Sequence, residues 1–223
     1  MRHIDTQRKA NYQDMGLIPY VKAWEVQKQT VAAVIGGDEP TLLLCEHPAV
    51  LTLGRLGAED HILLSREALR FQDIEVISID RGGEVTLHSP GQLVIYPIFN
   101  LHDYGKDLRI YMQKLEQVGI DLLRDFGIVA KRIEGRTGVW VVPKKIISIG
   151  VGVRKWVSYH GLAINVNTDL QLFSLIRPCG LDVRMTSLAE VLNQKIDIQL
   201  IKDRVIDHFS QQFHLNFLQH RKV

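Results

Sequence analysis

The chain lacks several things that would commit a protein of its size to particular chemistries. Its 223 residues include only two cysteines, Cys45 and Cys179, too few for the disulfide framework of a small secreted domain. No C-x-x-C spacing and no H-E-x-x-H pattern offers a zinc site, and no phosphate-binding P-loop is present. The longest apolar run, residues 93–99, falls far short of the roughly 20 residues a membrane-spanning helix needs. The first residues stay polar to Met15, with no apolar signal core behind Arg2. A cytoplasmic protein with no membrane partner is expected. Net charge is only +2 with 23% charged residues, so composition does not call for nucleic acid. Repeats, low-complexity tracts and Pro/Ser-rich linkers are missing too, and a single domain over 1–223 is expected, able to bury roughly 70% of its unfolded surface.

Present instead is an alternation of helical and strand-like stretches. Tyr20, Trp24, Val31 and Val34 fall near helical spacing before the stop at Gly36 and Gly37, predicting a helix over 20–35. Short apolar strands follow at 41–45 and 50–53, then a small helix at 65–71 and a strand at 75–79. After a strand at 92–99, Leu108, Tyr111, Met112, Leu115, Val118, Leu122 and Phe126 mark a long helix ending near Gly127. β-branched residues predict strands at 139–142, 145–153 and 158–166, with Pro143 and Gly161 as interruptions. Helices are expected at 187–192 and 198–213. Strands clustered between helices point to an α+β fold, a mixed β-sheet flanked by helices.

The most informative stretch runs from Arg81 to Pro97. Gly82, Gly83, Pro90 and Gly91 punctuate two β-like pieces around one imidazole, His88. Glycine pairs let backbone amides approach a ligand, so this reads as a binding loop between strands. Cys45 ends an apolar run and reads as a small core residue, whereas Cys179, between Pro178 and Gly180, sits outside any periodic pattern. A thiol attacks as its thiolate and needs a cation or base beside it. Lys145, His160 and His88 are the candidates, and a desolvated lysine can also shuttle protons. From spacing alone a solvated lysine and two structural histidines are the commoner readings, and periodicity does not settle the matter.

Five blocks taken together carry more. They are Glu46-His47-Pro48 with Thr52-Leu53-Gly54-Arg55, Arg81 to Pro97, Lys145-Ile146 with Ser148-Ile149-Gly150, Tyr159 to Asn167, and Pro178-Cys179-Gly180. In this order, over about 20–213, the chain closely resembles the lipoyl(octanoyl) transferase family. That resemblance implies the fold of lipoate and biotin protein ligases. It also implies transfer of an octanoyl group from octanoyl acyl carrier protein to a lysine of the lipoyl domains of 2-oxoacid dehydrogenases and of the glycine cleavage H protein. Carried over by position, it makes Cys179 the nucleophile that holds the octanoyl group as a thioester and Lys145 the partner that lowers its pKa. It likewise assigns substrate contacts to Arg81, Gly82, Gly83, Glu84, Val85, Thr86, Leu87 and His88, to Ser148, Ile149 and Gly150, and to His160, Gly161, Leu162 and Ala163. No metal or cofactor is implied, because thioester exchange is nearly balanced and aminolysis to an amide runs downhill.

The chain departs from the family pattern at Ser89, where glycine is common, and at Ile147, where a smaller residue is usual. An Ile147 side chain pointing into the acyl tunnel would shorten it. Lys144 beside Lys145 poses a register question, which the Ile-x-Ser-Ile-Gly pattern resolves in favour of Lys145. The alternatives are an ATP-dependent ligase, against which Cys179 argues, and a non-catalytic acyl-binding module. Acyl carrier proteins are acidic, so Arg55, Lys131, Arg132, Arg136, Arg154 and Lys155, which flank the blocks, are the expected basic rim.

Overall fold

The computed structural model describes residues 7–177 and 183–219. Cys179, on which the expected nucleophile falls, lies outside the described residues. In chain order the elements are β1 (Arg8–Leu17), α1 (Tyr20–Ile35), β2 (Thr41–Glu46), β3 (Val50–Leu53), α2 (Arg66–Arg70), β4 (Glu75–Ser78), β5 (Val85–His88) and β6 (Gln92–Ile98). They continue as α3 (Leu108–Asp125), β7 (Lys131–Ile133), β8 (Arg136–Val141), β9 (Lys144–Arg154), β10 (Val157–Asn165), α4 (Leu188–Leu192), α5 (Ile198–Phe213) and β11 (Leu215–Gln219).

Strands β2 and β6 read as unbroken apolar runs because both of their faces are covered. Their side chains divide with a period of two. Leu42, Leu44, Leu93 and Ile95 meet Leu115, Leu122, Val205 and Phe209 of α3 and α5 on one face. Leu43, Cys45, Val94 and Tyr96 meet Ala23, Val31 and Val34 of α1 on the other. The main sheet has eight strands in the order β11-β1-β2-β6-β10-β9-β8-β7. It is mixed: β1 pairs parallel with both β11 and β2, and the rest pair antiparallel. A second sheet, β4-β3-β5, carries its own small core around Leu51, Leu69 and Leu87.

Helix starts follow local chemistry. Asp107 caps α3 by accepting from the N–H groups of Arg109 and Ile110, and Asp197 caps α5 through Gln199. Gly161 does not interrupt its strand as expected. It lies inside β10, where a Cβ would fall 2.3 Å from the carbonyl oxygen of Ile95. Strands β1, β7 and β11 had no counterpart in the sequence pattern. No helix among the described residues is long and apolar enough to cross a membrane.

Candidate active site

The chain crosses between the two sheets at residues 47–49 and 89–91, and a cavity of about 460 Å³ is lined by residues of both. Its rim begins with the glycine loop. Arg81, only 7% exposed, donates through Nη2 to the Thr52 carbonyl at 2.7 Å and to Thr52 Oγ1 at 3.0 Å. Gly54 has no room for a Cβ, which would lie 2.3 Å from the Gly83 carbonyl oxygen. Its N–H donates to the Glu84 carbonyl, and that of Arg55 to the Arg81 carbonyl. The Thr52 to Arg55 block therefore clamps the loop from below. Gly82 in turn donates to the Val151 carbonyl at 2.8 Å, which ties the loop to β9.

The two later blocks form one surface because they pair in register: Ser148 faces Ala163, Ile149 faces Leu162, and Gly150 faces Gly161 across β9 and β10. All six line the cavity, as do Arg81, Gly82, Gly83, Glu84, Val85, Thr86, His88, Lys145 and His160. Leu87 does not. It is fully buried in the small core with Leu51 and Leu69. Ile147 is not among the lining residues either. Its side chain packs under α3, where a Cβ on Gly119 would meet its Cδ1 at 2.6 Å. The tunnel shortening considered for Ile147 does not arise from that side chain.

The neighbouring lysines separate cleanly. Lys144 Nζ donates to Glu190 Oε1 at 2.7 Å on the surface, whereas Lys145 lines the cavity with Nζ 5.4 Å from the Trp140 ring centroid. The backbone of Lys145 also receives the chain that follows Cys179. Its N–H donates to the Arg184 carbonyl at 2.8 Å, and its carbonyl accepts from Thr186 at 2.8 Å. Before Cys179, Arg177 donates to the His61 carbonyl at 2.8 Å, and Ile176 pairs with Ile62. Both flanks of the cysteine segment are thus held by backbone hydrogen bonds, the later one to the cavity residue Lys145.

The chain matches the model of the lipoyl protein ligase A/B catalytic domain over residues 19–210. It is 46% identical over 198 residues to the octanoyltransferase of Syntrophotalea carbinolica, an alignment covering 88% of this chain and 90% of that one. This chain belongs to the octanoyltransferase family. The octanoyltransferase of a Geobacter species is 43% identical over 204 residues, covering 91% and 97% of the two chains. Among solved structures, lipoate-protein ligase A bound with ATP is similar with a TM-score of 0.81 at 16% identity, covering 96% of this chain and 88% of that chain. Biotin protein ligase from Aquifex aeolicus gives 0.57 at 16%, covering 91% and 70%. These two likenesses concern the fold, and the expected α+β sheet with flanking helices is the one observed.

Membership in the octanoyltransferase family makes the chain an acyltransferase. Two buried imidazoles, His88 and His160, line the cavity, and the His47 ring packs against that of His88. Burial lowers the pKa of His88 to about 3 and those of His47 and His160 to about 4. Each tautomer follows from its partners. His47 Nδ1 donates to the Ile18 carbonyl and Nε2 accepts from the Tyr96 hydroxyl, both at 2.7 Å. His88 Nδ1 donates to Gln92 Oε1 at 2.7 Å. His160, with φ +55° inside β10, donates from Nε2 to Asp80 Oδ1 at 3.1 Å, and its backbone N–H leaves the ladder for Gln27 Oε1. Tyr20, Tyr96, Trp140 and Phe173 also line the cavity and were not expected there. For Tyr96 the signal existed, since it shares a face of β6 with Val94.

Cys45 carries a free, fully buried thiol whose pKa burial pushes up, which makes it a poor nucleophile. Arg132, expected on the basic rim, is tied instead to α3. It donates to Glu116 Oε2 at 2.9 Å and to the Gln113 carbonyl at 2.7 Å. Arg136 lines the cavity with its guanidinium 5.8 Å from the Trp140 centroid. Among the described residues no group of three His, Cys, Asp or Glu side chains could hold a metal ion.

Proposed function

We propose that this chain, acting as one cytoplasmic catalytic domain, transfers octanoyl from octanoyl acyl carrier protein to a lysine of lipoyl domains. Those acceptors belong to 2-oxoacid dehydrogenases and the glycine cleavage H protein. The Cys179 thiolate attacks the carbonyl carbon of the donor thioester, the carbon–sulfur bond to the carrier breaks, and the carrier thiol leaves with the proton that Lys145 gives up. Lys145, as its ammonium, stabilises the attacking thiolate in a site shielded from water. The acceptor lysine then attacks the enzyme thioester as a neutral amine. An amide forms, the carbon–sulfur bond to Cys179 breaks, and Lys145 in its amine form takes the proton from the attacking nitrogen. The apolar walls at Leu162, Ala163 and Phe173 suit an acyl chain, and the volume falls in the usual range for small-molecule sites.

The observation that carries this reading is Lys145 in the cavity with its backbone hydrogen-bonded to Arg184, five residues after Cys179 in the chain. Intact-mass spectrometry of the protein mixed with octanoyl carrier protein, without ATP, tests it. A hydroxylamine-labile octanoyl adduct on the native chain and none on Cys179→Ser is expected. Modification of an acceptor domain only with free acid and ATP would place the protein with the ligases instead.

A further inference from the structure

Glu116 lies on the core side of α3, 9% exposed, beside the buried Leu115, Val118 and Gly119. A carboxylate held there needs fixed donors to offset its lost hydration. Arg132 Nε supplies one at Oε2, 2.9 Å away, and the backbone N–H of Gly138 supplies another at Oε1, 3.1 Å away. One side chain thereby ties α3 to a single backbone position of β8.

That position is where β8 departs from regular pairing. Gly138 has φ +117°, and the register between β8 and β9 shifts between Val139 and Trp140. A Cβ on Gly138 would lie 2.5 Å from Lys145 Cε and 3.2 Å from Nζ. The end of the lysine therefore rests on a bare α-carbon. Two residues along, the Trp140 ring faces the same Nζ at 5.4 Å. Gly138 and Trp140 are the two walls of a slot, and Glu116 holds one of them.

We propose that Glu116 is a positioning residue for acyl transfer: by fixing the Gly138 backbone it sets the slot in which Lys145 lies, and so where the lysine amine is held. The inference rests on the reading of Lys145 as the partner of Cys179. A lysine stem is flexible, and the pull of an ammonium on a thiolate falls with distance, so an unguided amine would act weakly.

The alkylation rate of Cys179 by iodoacetamide, read by intact mass from about pH 5 to about pH 10, reports the thiolate fraction. Buried Cys45 adds no signal in the folded protein. Glu116→Ala and Gly138→Ala should move the profile to higher pH, toward that of Lys145→Ala, slowing alkylation at neutral pH about tenfold. The KM for the octanoyl donor should stay within about twofold. Glu116→Gln, which keeps an oxygen for the Gly138 N–H, should recover most of the native profile. Should Glu116→Ala fail to fold, Glu116→Met, which fills the same space without an acceptor for the Gly138 N–H, decides the matter, and Gly138→Ala does not, because a Cβ on Gly138 would also meet the Ile147 carbonyl oxygen at 2.5 Å. A native profile in folded Glu116→Ala and Gly138→Ala, with a shifted one in Lys145→Ala, overturns the positioning role alone. A native profile in Lys145→Ala overturns the reading of Lys145, and this inference with it.

Discussion

At the scale of single residues, two arginines four positions apart do different work, and sequence proximity to the site blocks hid the difference. Arg132 is a structural group, with its guanidinium spread over Glu116, Gln113 and Gln117. Arg136 stands at the cavity edge. If an acidic donor protein approaches that edge, Arg136→Glu should raise the donor KM several-fold at low salt, and the effect should shrink as salt rises. Arg132→Glu should instead set two carboxylates together and cost about 2 kcal/mol of stability, with no salt-dependent change in donor KM. Urea denaturation and donor kinetics at two salt concentrations separate the cases. Equal salt dependence in both variants would return Arg132 to the docking surface.

At the scale of elements, glycines mark where backbones touch. In β10, Gly161→Ala would put a methyl 2.3 Å from the Ile95 carbonyl oxygen and 2.6 Å from Pro97 Cδ, forcing two central strands apart. A loss of about 2–4 kcal/mol is expected in urea melts. Gly82→Ala, whose Cβ meets only the Val151 carbonyl oxygen at 3.4 Å, should change stability by less than about 0.5 kcal/mol. The same contacts explain what could be read beforehand. Strands β2 and β6 were legible because both faces are buried, and α1, α3 and α5 because each buries one apolar stripe. In β1 only Ala10 is fully buried, and three-residue β7 has no buried position, so backbone pairing alone defines them. The blocks at residues 148–150 and 161–163 come together because β9 and β10 pair them in register. Leu87 stands apart from the rest of its block because its side chain sits in the small core, a burial that a contiguous motif does not record. Asp80, Glu116 and Trp140 gain their roles from partners distant in the chain, which no local pattern records.

At the scale of the whole molecule, three histidines buried as neutral imidazoles couple folding to pH. The unfolded chain protonates each near pH 6.5, while the folded chain holds His88 near 3 and His47 and His160 near 4, chiefly through burial. Above pH 6.5 neither state carries the protons, and their contribution to stability is fully present. As pH falls below 6.5 the unfolded state binds protons that the folded state refuses. Stability then drops by up to about 1.4 kcal/mol per pH unit for each imidazole, until the folded values near 4 and 3 are reached. Three together remove about 4 kcal/mol per unit near pH 5, comparable within two units to the whole stability of an ordinary domain. Urea-unfolding free energies measured from pH 7 to pH 4.5 should therefore fall with a slope approaching three protons. His88→Gln, which keeps a polar group but removes one titration, should lower that slope by about one proton. A native slope below about one would mean that these imidazoles take up protons while folded. His88 and His160 would then bring positive charge to the cavity in mild acid, and Lys145 would not be alone as a cation able to meet a thiolate.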